Sequence, residues 1–171
     1  RETGAEVSVE IVHGNGGGGP EAAAQAAERM VQADDASCLV GGWTPEDTLE
    51  IAQSVSIPDG VLQISPTPSD EQVTALEDDE LVNSVAPPTA ALGQESAAFE
   101  QLYDSARPTE VEQAPFAADA FDATILCYLA AVAAGSADGK EMALVLIDNT
   151  APAGTEYSWQ ELPDAAKALE A

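Results

Sequence analysis

The chain predicts an α/β fold, a three-layer sandwich built on a mainly parallel sheet, and two observations carry that expectation. Cys38-Leu39-Val40 and Val61-Leu62-Gln63-Ile64 are short apolar runs bounded by Gly, Pro or Ser. They are too short for helices and rich in aliphatic side chains, as buried strands are. Between them the chain begins a helix, with Thr44 as N-cap, Pro45 at the first helical position, where a missing N–H costs nothing, and Glu46 and Asp47 beside the positive dipole end. Leu49, Ile51, Ala52 and Val55 supply its apolar face, and Pro58-Asp59-Gly60 turns the chain back. A right-handed crossover makes the two strands parallel. Gly41 to Thr44 and Ser65 to Ser69 then leave the sheet at the same carboxyl edge, where open α/β sheets bind ligands.

The remaining elements follow in order. Glu6 to Val12 alternates Val7, Val9 and Ile11 with Ser8 and Glu10, which predicts a further strand of the sheet, at its edge. His13 and a glycine-rich loop come next. Gly14, Gly16 and Gly19 satisfy a G-x-G-x-x-G spacing, but the acid expected about 20 residues later is missing and the acidic charge opposes a phosphate, so this reads as a surface loop. Pro20 to Ala33 predicts a helix with Ala22, Ala26, Met30 and Val31 facing inward. Ser69 and Gln72 form a capping box for a short helix ending near Leu76. Leu81 to Ala86 reads as a strand stopped by Pro87-Pro88. Thr89 to Ala106 reads as one helix, Pro108 to Pro115 as a polar connection, and Phe116 to Gly135 as the longest helix, buried nearly all round through Phe121, Ile125, Leu126, Tyr128, Leu129 and Val132. Gly139 to Thr150 fits helix or strand, and Trp159 to Leu169 a last short helix.

Charge and composition exclude several classes of function. Against 31 Asp and Glu stand 5 Lys and Arg, a net charge of -26 over 171 residues. Such a chain repels nucleic acid and anionic membrane surfaces, and its self-repulsion suits a salt-rich, halophilic setting where charges are screened within a few Å. No run near 18 residues is apolar and free of charge, and Ala123 to Ala134 is too short, so the chain is expected not to span a membrane. No nucleophile has a histidine partner, His13 is the only histidine, and no Cys or His cluster has metal spacing. No enzyme, cofactor or metal site is expected. Cys38 lies on a strand and Cys127 on a helix. Because such layers lie about 10 Å apart while a disulfide needs Cα atoms within about 7 Å, both are expected to be buried free thiols.

Several of these motifs together carry a family resemblance. Gly41-Gly-Trp-Thr-Pro-Glu-Asp-Thr-Leu49, Gly60-Val-Leu-Gln-Ile-Ser-Pro66, Pro20-Glu-Ala-Ala-Ala-Gln-Ala-Ala-Glu-Arg-Met-Val31 and Phe116-Ala-Ala-Asp-Ala-Phe-Asp-Ala123 occur in an order that resembles the type I periplasmic binding proteins. The likeness is to the branched-chain amino-acid class of ABC-transporter substrate-binding proteins. It implies a single, truncated lobe in which residues 1–93 match the N-terminal part and residues 94–171 a later returning segment, joined near Gly93 to Ser96. It favours helix for Gly139 to Thr150. It also implies an extracytoplasmic location, a small polar solute such as an amino acid as ligand, and a transporter permease or a self-assembly partner. Carried over by position, Trp43 and Thr44 lie in the first ligand loop and Thr67 and Ser69 in the second, while Pro45 stands where the family has a ligand-binding Ser. A second class of function is a non-catalytic structural or interaction module in which Trp43 meets another chain.

Overall fold

The computed structural model describes residues 9–67, 71–85, 103–106, 116–150 and 154–169. Helix α1 (Pro20–Asp34) precedes strand β1 (Cys38–Val40), helix α2 (Pro45–Ile51), strand β2 (Leu62–Ser65), the short helix α3 (Glu71–Thr74) and strand β3 (Val82–Ser84). Three further helices follow, α4 (Ala117–Ala134), α5 (Gly139–Thr150) and, after a 3-10 turn at Trp159–Glu161, α6 (Leu162–Leu169).

The three strands lie in the order β1-β2-β3, all parallel, with Cys38 opposite Leu62 and Gln63 opposite Val82. Strand alternation sends side chains to both faces. Leu39 and Val61 meet Ala23, Ala27, Ile51 and Val55 of α1 and the α2 segment on one face. Leu62 and Ile64 meet Ala123, Ala130, Met142, Ala143 and Leu146 of α4 and α5 on the other. A parallel sheet between helices on both faces is the α/β arrangement the βαβ pattern predicts.

Helix α2 begins as its sequence dictates. Thr44 Oγ1 accepts the Asp47 N–H at 3.1 Å while the Asp47 carboxylate accepts the Thr44 N–H at 3.1 Å, a reciprocal capping box. The helix continues through a widened π turn at Ala52–Ser56, where the Ile57 N–H reaches Ala52 O, into Ile57–Asp59. Pro58 explains the widening: it has no N–H for the carbonyl four residues back, and its ring would strike that carbonyl in a regular helix. Gly60, at φ 69°, ends the segment.

Four expectations need correction. Residues 9–12 are not a strand of the sheet; Val9 and Ile11 are more than half exposed, and residues 6–8 lie outside the described set. The loop that follows runs over α1 instead, with Gly14 against Met30 and Gly16 against Ala23, so close that a Cβ on Gly14 would press on the Met30 side chain. Helix α1 turns Ala23 and Ala27, not Ala22, into the core; in so Ala-rich a helix composition does not reveal the phase.

The cysteines depart furthest from expectation. Cys38 and Cys127 form a disulfide, with Cα atoms 6.0 Å apart. The usual layer spacing fails here because the face of α4 toward the sheet is a stripe of small residues, Ala123, Cys127, Ala130, Ala131 and Ala134, which lets the helix approach closely. That stripe also explains why Phe121, Ile125, Leu126, Tyr128 and Leu129 are only half-buried: they stand on its flanks. At 18 residues and mean hydropathy 1.5, α4 is long and apolar enough to cross a membrane by length and composition, although it carries Asp119 and Asp122. In the fold its small-residue stripe packs on the sheet.

The strand expected over Leu81 to Ala86 is β3, and Gly139 to Thr150 is helical. Of Thr89 to Ala106 only residues 103–106 are described, and they are helical. The connection over Pro108 to Pro115, the junction near Gly93 and the Ser69 capping box lie outside the described residues.

Candidate functional site

The two loops at the carboxyl edge meet, and a buried polar network joins them. Thr67 Oγ1 donates to Gly42 O at 3.3 Å, and the Thr67 N–H donates to Ser65 Oγ at 3.3 Å. Ser65 Oγ also lies 3.1 Å from Thr67 Oγ1 and 3.3 Å from Thr48 Oγ1, and Thr48 Oγ1 donates to Thr44 O at 3.1 Å. Beneath them Gln63, fully buried, donates to Gly41 O and Thr48 O, each at 3.2 Å, and accepts from Ser56 Oγ at 2.8 Å. Together these bonds tie the first loop and the α2 segment to β2 and its outgoing loop. Satisfied networks of this kind hold a site rigid, because each lost member strands a buried partner.

Gly42 makes the close approach possible. A Cβ there would run into the Thr48 backbone nitrogen and the Asp47 carbonyl carbon, so the loop can fold onto the first turn of α2 only without a side chain.

The expected site residues fall in different environments. Trp43 is 55% exposed and meets Phe116 edge to face, ring centroids 5.7 Å apart at 80°. Phe116 holds a left-handed backbone, φ 61°, at the N-cap of α4, a conformation rare for an aromatic residue and one that other contacts must hold in place. Thr44 is half-buried; its oxygen accepts from the helix while its O–H proton meets no acceptor among the described residues. Thr67 is 3% exposed, and its hydroxyl is turned into the network. Ser69 lies outside the described residues. Trp43, Thr44 and Thr67 are thus gathered at one edge, Trp43 outermost and Thr67 innermost.

Sequence reasoning passed over Gln63, Ser65, Thr48 and Ser56 as functional supports. A polar Gln inside an otherwise apolar strand was the available signal, since a buried amide needs partners on neighbouring elements.

From this network a side-chain hydrogen bond leads to a cleft on the far side of the sheet. Ser84 Oγ donates to Thr67 O at 2.7 Å, and Ser84 also lines a cleft of ≈ 470 Å³ between β3, α4, α5 and α6. Ile125, Leu129, Leu146 and Leu162 make its apolar wall; Asn83, Asp122, Thr150, Tyr157 and Ser158 bring polar atoms to it. Trp43, Thr44 and Thr67 are not among its lining residues. Partial burial, and after it the charge of Asp119, holds the Asp122 carboxyl above its ordinary pKa. Among the described residues no group of three or more His, Cys, Asp or Glu is placed to hold a metal ion.

No protein-family model, curated protein or solved structure matches the chain.

Proposed function

We propose that the chain is a solute-binding lobe of the type I periplasmic-binding-protein kind, serving an importer of branched-chain or other small amino acids outside the cytoplasm. The observation that carries this reading is the clamp of Thr67 and Ser65 on the first loop. Thr67 Oγ1 and Ser65 Oγ both donate to Gly42 O, at 3.3 and 3.4 Å, which fixes two loops at the carboxyl edge of a parallel sheet, the place where such sheets take ligands. In this reading Thr44 O–H donates to the ligand carboxylate, Trp43 with Phe116 forms an aromatic wall for its apolar part, and Thr67 positions the loop. The lobe performs no catalysis. The disulfide supports an extracytoplasmic, oxidising setting, and bonding Cys127 to the sheet favours α4 as a core helix over a membrane span.

One lobe encloses a ligand on one side only, well short of the roughly 70–90% burial typical of small-molecule sites. Binding is accordingly feeble. Titration calorimetry with a panel of amino acids tests the reading on the chain itself and on Trp43→Ala and Thr67→Ala, Ser69→Ala variants. Weak, saturable binding that both variants diminish is the expected result. Binding indifferent to all three substitutions means the site is elsewhere, and submicromolar binding means no second lobe is needed.

A second reading has its own support. Among the described residues β1 is an edge strand, its Val40 is 40% exposed, and Trp43 is 55% exposed beyond it. A structural or interaction module would use this edge to meet another chain. Sedimentation of the chain as a concentration-dependent oligomer that Trp43→Ala dissolves would favour it.

A further inference from the structure

We propose that the cleft between β3, α4, α5 and α6 is a binding site for a small amphiphilic organic cation, an ammonium carried on a short aromatic or aliphatic body. The site is separate from the carboxyl-edge loops, and the proposal does not rest on their function.

Size and lining come first. At ≈ 470 Å³ the cleft falls within the range of about 300–1,000 Å³ over which small-molecule sites occur. Ile125, Leu129 and Leu146 make an apolar floor that would enclose a hydrocarbon body.

The polar atoms then select the sign of the ligand's head. Among the described residues Asp122 is the one charged side chain in the lining, with no Lys, Arg or His beside it. Of the five neutral polar side chains in the lining, all but Tyr157 have already given a proton to the protein. Ser84 Oγ donates to Thr67 O, Thr150 Oγ1 to Leu146 O at 2.9 Å, Ser158 Oγ to Glu161 at 2.8 Å, and Asn83 Nδ2 to Glu80 O at 2.8 Å. What the three hydroxyls retain is acceptor lone pairs, while the Asn83 amide keeps its carbonyl oxygen and one N–H. A lining rich in acceptors, closed by a carboxylate, suits a ligand head that only donates, as an alkylammonium does. Phe121 and Tyr157 also line the cleft, and aromatic rings attract a cation. An anion meets Asp122 with Asp119 behind it, in a chain of net charge -26.

Calorimetry on the full chain at moderate ionic strength tests this with three probes of one shape, phenethylammonium, 2-phenylethanol and phenylacetate. Phenethylammonium should bind saturably, the alcohol several-fold more weakly and the carboxylate not at all. Asp122→Asn, at the solvent-facing rim of the cleft and outside the buried core, should weaken the cation about three- to tenfold, a charge-assisted contact reduced by solvent, and leave the alcohol unchanged. Leu129→Trp, which fills the cleft, should abolish both, with circular dichroism reporting whether helix content is kept. Absence of binding, equal binding of the three probes, cation binding insensitive to Asp122→Asn, or cation binding lost in Trp43→Ala each overturns the proposal. The last two are read on surface substitutions, so they decide the matter even if Leu129→Trp fails to fold.

Discussion

Gln63 shows how much one side chain can hold. Its amide spans Gly41, Thr48 and Ser56, so replacement by Leu strands the Gly41 carbonyl and the Ser56 hydroxyl proton, while Thr48 O keeps the Ala52 N–H. Each stranded group costs about 1–3 kcal/mol, and urea unfolding should find Gln63→Leu more damaging than Thr67→Val, after which Gly42 O keeps Ser65 Oγ as a donor at 3.4 Å. Gly42→Ala should destabilise by about 1–3 kcal/mol through overpacking alone, since the methyl group meets backbone atoms that cannot swing aside. Asp122 acts through pH. Its carboxyl titrates above the ordinary value because of partial burial, then Asp119, so the folded state holds that proton more tightly than the unfolded chain does. This contribution therefore destabilises the ionised protein, and stability is regained as pH falls through the raised folded value toward about 3.9. Urea midpoints across that range should rise less on acidification in Asp122→Asn than in the parent chain.

Among the elements, α4 carries most of the consequences. Its small-residue stripe brings it close to β1, and the Cys38–Cys127 bond then ties together segments separated by 89 residues. A loop of that size constrains the unfolded chain by about 4–5 kcal/mol in the loop-entropy account. Reduction, or the double substitution Cys38→Ala, Cys127→Ala, should lower stability by about that amount in urea titration. A shift under about 1 kcal/mol, well below the loop-entropy value, would mean that packing alone already seats the helix. The π turn in the α2 segment belongs to the same scale: Pro58 sets it, while Gly60 and the capping box bound the segment at its two ends.

For the molecule as a whole, charge has the widest reach. With 31 acidic residues against 5 basic ones, folding gathers like charges that the unfolded chain holds apart. Salt should therefore stabilise the fold, and the thermal midpoint in molar KCl should exceed that in dilute buffer by several degrees. An unchanged midpoint would remove the argument for a salt-rich setting. Among the described residues the two cores on opposite faces of the three-stranded sheet are small, which gives the disulfide and the screening more weight.

The chain by itself determined what local chemistry controls. Thr44-Pro45-Glu46-Asp47 specifies a helix start, Cys38-Leu39-Val40 and Leu62-Gln63-Ile64 specify strands, and the crossover between them specifies parallel pairing; all three appear in the fold. The meeting of Gly42 with Thr67 follows from that topology. Tertiary structure decided the rest, because it turns on distances between elements. Alternation over Glu6 to Val12 marks a segment able to pair but cannot supply a partner edge; residues 9–12, the described part, form no strand, and the glycines after them lead the chain over α1. A cysteine on a strand and one on a helix reveal their pairing only once the alanines of α4 are known to face the sheet. Thr67 carries a hydroxyl suited to a ligand, yet which atom receives its proton depends on how closely Gly42 approaches, and that distance is a property of packing.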